Sequence, residues 1–238
     1  MNIFELANPK RFMIFSGVLL PWFWAVSLLC LGAGLAISLF FVPPDYQQGD
    51  TVKIMFIHVP AAQVAMMAYG AMALASLLGL VNRHPLADVA AKTAAPLGAL
   101  FTALALITGS LWGKPMWGAY WVWDARLTSF LILLFLYLGY MALWNAFEDE
   151  TRAARAAAVL ALVGAVDLPI IYFSVQWWNT LHQGESILAG KIAPVFLTPL
   201  LLMMAGYAFL FFTLWMMRIR TEILARRARA LQLQMGAA

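Results

Sequence analysis

Apolar residues fall in six long blocks, about Leu20–Val42, Lys53–Leu80, Ala94–Leu111, Ser129–Trp144, Ala156–Phe173 and Ala193–Met217, with short polar stretches between them. Each block is close to the roughly 20 residues that a helix needs to cross the hydrocarbon of a bilayer. Several contain proline or glycine, which membrane helices accept when neighbours satisfy the freed carbonyls. The pattern predicts an all-α integral membrane protein with six transmembrane helices in a single domain over 1–238. Its outer loops would lie at about 43–52, 112–128 and 174–192. A basic extension would follow at 218–238. Met1 to Met13 lacks a short apolar core ahead of a small-residue cleavage site, so no cleavable signal peptide is expected.

Composition agrees with that class. The 238 residues are 64% hydrophobic and 11% charged, too little charge for a soluble surface. The placement of the cations adds an orientation. Lys10, Arg11, Arg83, Lys92, Arg152, Arg155, Arg218, Arg220, Arg226, Arg227 and Arg229 flank one side, eleven of the fifteen; Lys53, Lys114, Arg126 and Lys191 flank the other. Both termini of this multi-pass chain are therefore expected in the cytoplasm, with the other set of loops facing outwards. The net charge of +4 requires no nucleic acid, because the basic run from Arg218 to Arg229 suits the anionic lipid of the cytoplasmic leaflet. That run could also dock a cytoplasmic partner. No Gly-x-x-x-x-Gly-Lys-Ser/Thr stretch is present, so ATP binding through a phosphate loop is not expected of this chain.

One outer loop is unlike the rest. Trp117-Gly118-Ala119-Tyr120-Trp121-Val122-Trp123-Asp124 follows Trp112 with Gly113 and Pro115 between them. An aromatic belt at headgroup level explains spaced residues such as Trp22, Trp24, Trp144 and Trp215. It explains this crowd poorly. Glycine and proline are expected to bend the stretch into a loop, and clustered indoles suit a flat, mostly apolar ligand.

The chain has three histidines. His84, between Arg83 and Pro85, has a helix-boundary setting and reads as structural. His58, at the outer end of the second span, and His182, in the last outer loop, fall on the same side as the indoles. Two neutral imidazoles can take the two axial positions of a haem iron. Zinc is the competing metal; it would call for a third ligand, and Glu185 is the candidate. The lone Cys30 lies in an apolar run and reads as a small buried side chain. There is no Cys-x-x-Cys-His motif, so any haem would be held non-covalently, as haem b.

Three charged residues have both a plain and a functional reading. Asp124 precedes the fourth span and suits a helix N-cap. Arg126 could pair with Asp124 or offer its planar fork to a haem propionate. Asp167 precedes Leu168-Pro169 and reads as a cap on a helix broken at the proline, since few other titratable groups share its depth.

The stretch from Trp117 to Asp124, followed by Ala125-Arg126-Leu127-Thr128, resembles the WWD signature of membrane haem-handling proteins of cytochrome c maturation, and the six-span length is similar to the CcmC type. The resemblance covers essentially the whole chain. It implies a haem-binding and transfer subunit rather than an enzyme, with His58 and His182 as axial ligands and Trp117, Gly118, Tyr120, Trp121, Trp123, Asp124 and Arg126 around the macrocycle. The site would face the periplasm and deliver haem to the chaperone CcmE, in a complex with the ATPase CcmA, its membrane partner CcmB and the small CcmD. Three alternatives stand beside this. A CcsA-like haem-attaching synthase predicts more spans and histidines, and a secondary transporter predicts internal repeat symmetry. A purely structural transporter partner leaves the aromatic loop unexplained.

Overall fold

The computed structural model describes residues 8–82, 84–178, 180–182, 190 and 192–236. Among these the chain is helical, with no named strand: α1 (Pro9–Phe40), α2 (Met55–Asn82), α3 (Pro85–Trp117), α4 (Ala125–Ala146), α5 (Glu150–Gly164), α6 (Asp167–Trp177) and α7 (Pro194–Gly236). Six helical segments are long and apolar enough to cross a membrane, with α5 and α6 together forming one of them.

Helix ends follow local chemistry. Asn8, Asp124 and Asp149 cap α1, α4 and α5 by accepting from the backbone amides of Lys10, Leu127 and Thr151, as short polar side chains do at the first turn. His84 caps α3 through Leu86 N at 3.2 Å, which agrees with its structural reading. Arg83 lies outside the described residues.

The interior is built by small residues that let backbones approach. Ala61, Ala65 and Ala68 of α2 and Ala91, Ala94 and Ala95 of α3 are fully or almost fully buried. Tyr137 of α4 reaches across to donate to Ala65 O at 2.7 Å, and its ring occupies the space beside Gly98 that a Cβ would take. On the other flank α1 packs along α7. Gly34 faces Met203 and Gly206 faces Leu31, while Ser27 Oγ donates to Gly206 O at 3.1 Å.

Helices run past the spans read from hydrophobicity. α1 starts at Pro9 rather than near Leu20, and α3 covers Pro85–Trp117 rather than Ala94–Leu111. At 1.5 Å per residue the 43 residues of α7 extend about 65 Å, roughly twice the hydrocarbon thickness. Its basic part still touches the bundle: Arg220 donates to Met13 O at 2.6 Å and Ser16 Oγ at 2.9 Å, and Lys92 pairs with Glu222 at 3.1 Å.

The fifth span breaks where expected, but Asp167 does not cap the break. The helix stops at Ala165-Val166, Val166 is the cap position without a side-chain bond, and Asp167 is the first residue of α6. The ring of Pro169 conflicts with the carbonyl four residues earlier and offers no amide to it; that carbonyl is Ala165, at the break. Asp167 is 7% exposed and its Oδ2 has no hydrogen bond.

Candidate functional site

At the end of the bundle away from Arg220 and Met13, α2 begins, α3 ends, α4 begins and α6 ends. His58 sits in the first turn of α2. Its Nδ1 lies 3.0 Å from Ala105 O and 3.2 Å from Thr108 Oγ1, both on α3. A carbonyl can only accept, so Nδ1 carries the proton and Nε2 keeps its lone pair. The ring packs against Gly109, where a Cβ would approach Cε1 to 3.0 Å. A backbone contact, a hydroxyl and a missing side chain thus fix one imidazole.

His182 approaches from the opposite part of the chain. The two histidine rings stand 6.5 Å apart between centroids, with planes 31° apart. The edge of Trp117 meets the His182 ring at 5.1 Å. Its Nδ1 is 3.7 Å from Asp124 Oδ2, beyond hydrogen-bond length. Burial is the main reason that His182 has its pKa lowered to about 4, with the positive charge of Arg126 and then His58 adding to the effect and Asp124 opposing it. His182 is therefore neutral at neutral pH, the form that donates to a metal.

The tryptophans divide into two groups. Trp112 and Trp117 are helical, because α3 continues through Gly113 and Pro115 and ends only at Gly118. The expectation that Gly113 and Pro115 bend the chain at Trp112 is corrected by this. Gly118 makes the turn with φ 77°, a conformation that costs glycine little. Trp112 and Trp117 meet edge to face at 5.1 Å, and Trp112 Nε1 donates to Gln48 Oε1 at 2.9 Å. Beyond the turn the chain is non-helical from 118 to 124. Trp121 and Trp123 also meet edge to face, at 5.4 Å. Trp121 points inward and its Nε1 has no hydrogen bond; Trp123 is 75% exposed. Tyr120 is exposed beneath Lys114, whose Nζ sits 5.3 Å from the ring centre.

Asp124 has two jobs. Its Oδ1 accepts from Leu127 N at 2.8 Å as the cap of α4, and its buried Oδ2 faces His182 without a hydrogen bond. Arg126, the second residue of the same helix, donates through Nε to Ser174 Oγ at 3.1 Å. Ser174 is fully buried on α6 and in turn donates to Ile171 O.

His58, Trp121, Arg126 and His182 line one cavity with Ala105, Gly109 and Phe130. Trp117 and Asp124 border it through His182. Gly118, Tyr120 and Trp123 are not among the residues that line it. Ser174, Gln48, Thr108 and Gly109 escape sequence reasoning, because nothing local marks a serine or glycine whose role depends on a distant helix. Among the described residues no group of three His, Cys, Asp or Glu side chains gathers as a metal site. Glu185 and Lys191 lie outside the described residues.

A haem iron fits this donor set. Two iron–nitrogen bonds of about 2 Å each, plus the ring radii, would place axial imidazole centres roughly 6 Å apart. His58 Nδ1 is held by Ala105 O at 3.0 Å, the outer arrangement that orients a ligating imidazole, whereas His182 Nδ1 faces Asp124 Oδ2 at 3.7 Å without a hydrogen bond. The buried indole Nε1 and the carboxylate Oδ2 without hydrogen bonds mark polar capacity that no described residue uses.

The tryptophans outside this stretch differ in their contacts. Trp22 is exposed. Trp215 donates to Ala90 O at 2.8 Å and stacks on Phe211. Trp144 carries Lys92 Nζ 4.9 Å above its ring.

Comparison with known proteins gives a consistent result. The family model described as Heme exporter protein C matches residues 2–234. The heme exporter protein C of Bradyrhizobium diazoefficiens is 58% identical over 98% of this chain and 89% of its own length. That of Paracoccus denitrificans is 50% identical over 97% of both chains. The Escherichia coli K12 protein of the same name is 48% identical over 96% of this chain and 93% of its own.

Proposed function

Because the chain belongs to the CcmC family of heme exporter proteins, we propose that it binds haem non-covalently at the periplasmic face of the inner membrane and passes it on during cytochrome c maturation. The observation that carries this reading is the pair of imidazoles, His58 and His182, with centroids 6.5 Å apart and bordered by indoles. His58 and His182 hold the iron. Trp117 and Trp121 flank the macrocycle, with Gly118, Tyr120 and Trp123 on its exposed edge. Arg126, steadied by Ser174, is the cation for a propionate. Asp124 orients His182.

The cavity between these side chains encloses about 50 Å³, whereas sites for molecules of haem's class span roughly 300–1,000 Å³. Loading therefore requires the 118–124 stretch and His182 to move away from α2 and α3. The acceptor we propose is the periplasmic chaperone CcmE, reached by ligand exchange at the iron. The ATPase CcmA, with CcmB and CcmD, completes the assembly. In this scheme the chain makes no bond of its own: it binds, orients and releases.

Purified protein should show a six-coordinate haem absorption spectrum. Substitution of His58 and His182 by Ala, singly and together, should abolish it stepwise. An unchanged spectrum in the double variant would overturn the axial-ligand assignment.

A further inference from the structure

A second cavity lies at the opposite end of the bundle. It has a volume of about 400 Å³ and is lined by Gly79 and Leu80 of α2, Asp88 of α3, Trp144 of α4, Arg155 of α5 and Arg226 of α7, among others. Five helices meet there without closing the space. Gly79 keeps it open next to Asp88: a Cβ at that position would collide with Asp88 Oδ1.

The charges around this cavity do not all cancel. Arg226 is consumed by Glu150 at 3.1 Å and Glu222 at 3.1 Å. Arg229 bonds Glu150 at 3.4 Å, and Lys92 is shared between Glu222 and the face of Trp144. That leaves Asp88 and Arg155, one carboxylate and one guanidinium lining the same cavity. Neither has an ion pair or a side-chain hydrogen bond among the described residues. Asp88 is half-buried and Arg155 is exposed, so only the carboxylate bears a cost for leaving water unpaired. A ligand whose cation meets Asp88 removes that cost, and its anion can reach the open guanidinium.

We propose that this cavity binds the headgroup of a zwitterionic phospholipid carrying a primary ammonium, with the phosphodiester on Arg155 and the ammonium on Asp88. Its place favours a lipid over a soluble molecule. Asp88 lies in the first turn of a membrane-spanning helix, Trp144 in the last turn of another and Leu80 near the end of a third. The headgroup layer of a bilayer lies at that level. A guanidinium matches a phosphodiester through two parallel N–H donors. A primary ammonium offers a carboxylate three protons, and a trimethylated one offers none. The inference is independent of haem.

The test uses the full chain reconstituted in vesicles of equal phosphatidylethanolamine, phosphatidylcholine and phosphatidylglycerol, then extracted for native mass spectrometry of the retained lipid. Phosphatidylethanolamine should exceed each of the others by roughly threefold to tenfold, the equivalent of one charge-assisted contact. Asp88→Asn should erase the preference over phosphatidylcholine. Arg155→Gln should lower retention of all three, and Arg155→Lys should restore most of it. Equal retention of the three lipids by the unaltered chain would overturn the proposal, whatever the variants do. So would a preference that survives Asp88→Asn and Arg155→Gln. Soluble phosphoethanolamine is the control for source: if it binds with the same dependence on both residues and displaces the lipid, the lipid assignment is overturned in favour of a free zwitterion.

Discussion

Gly109 stands so close to His58 that a β-carbon there would lie 3.0 Å from the imidazole Cε1. The position of the ring is thus set by an absence on α3 as much as by the bond to Ala105 O. Gly109→Ala should keep both histidines yet shift the His58 ring by a few tenths of an ångström or stretch its bond, with an overpacking cost of about 1–3 kcal/mol. Haem titration should show weaker retention and an altered spectrum. Unaltered haem affinity in this variant would mean that the ring has more freedom than the packing shows.

Asp124 separates two roles by oxygen atom. Asp124→Asn keeps a capping acceptor for Leu127 N, so thermal stability should barely change; Asp124→Ala should cost about 1 kcal/mol from loss of the cap. Both variants remove the carboxylate facing His182, and both should weaken haem retention. A haem affinity that follows thermal stability across the pair would reduce Asp124 to a cap alone.

Acidification gives a signed expectation. His182 takes up its proton near pH 4 in the folded chain, against 6.5 for the free side chain. Its folded value is depressed, so the unfolded chain binds the proton first and stability falls as pH drops from 6.5 towards 4. Over the same range the folded imidazole stays neutral and able to ligate. The haem spectrum should therefore persist from pH 7 to pH 5 while thermal stability declines, and His182→Gln should flatten part of that decline. Loss of the spectrum centred near pH 6.5 would contradict the burial of His182.

Ser174 is a positioning residue for Arg126. Ser174→Ala deletes a hydroxyl that accepts from Arg126 Nε and donates to Ile171 O, at a stability cost of about 1 kcal/mol. The readout specific to positioning is haem carrying esterified propionates. If Arg126 meets a propionate, Ser174→Ala should weaken binding of free-acid haem and leave the diester unaffected. Equal losses for both ligands would assign Ser174 to packing only.

Much of this architecture was legible from residue order because membrane helices are apolar along their whole length. Their number followed directly. Their ends did not: Pro9 to Leu19 of α1 and Pro85 to Thr93 of α3 mix polar and apolar residues, and there capping decides where a helix begins. The stretch at 112–117 was misleading for a related reason. Gly113 and Pro115 read as loop signals, yet α3 passes through both, since a proline within a membrane helix loses one bond and keeps its neighbours. The two histidines and the indoles could be placed on one side by counting charges. Their partners could not, because the carbonyl of Ala105 on α3, the hydroxyl of Ser174 on α6 and the amide of Gln48 in the turn before α2 lie far away in residue order and meet the site only in the folded chain.

The two imidazoles differ in how they are anchored. His58 belongs to a helix and is tied to a second one by Ala105 O and Thr108 Oγ1; His182 Nδ1 has no hydrogen bond and its ring rests against Trp117. Fluctuations of the gap between them are consequently one-sided: a stationary jaw at His58 on the bundle and a travelling jaw at the His182 side chain. Spin or fluorophore labels on α2 and beside His182 would report that distance as the motion of one partner alone.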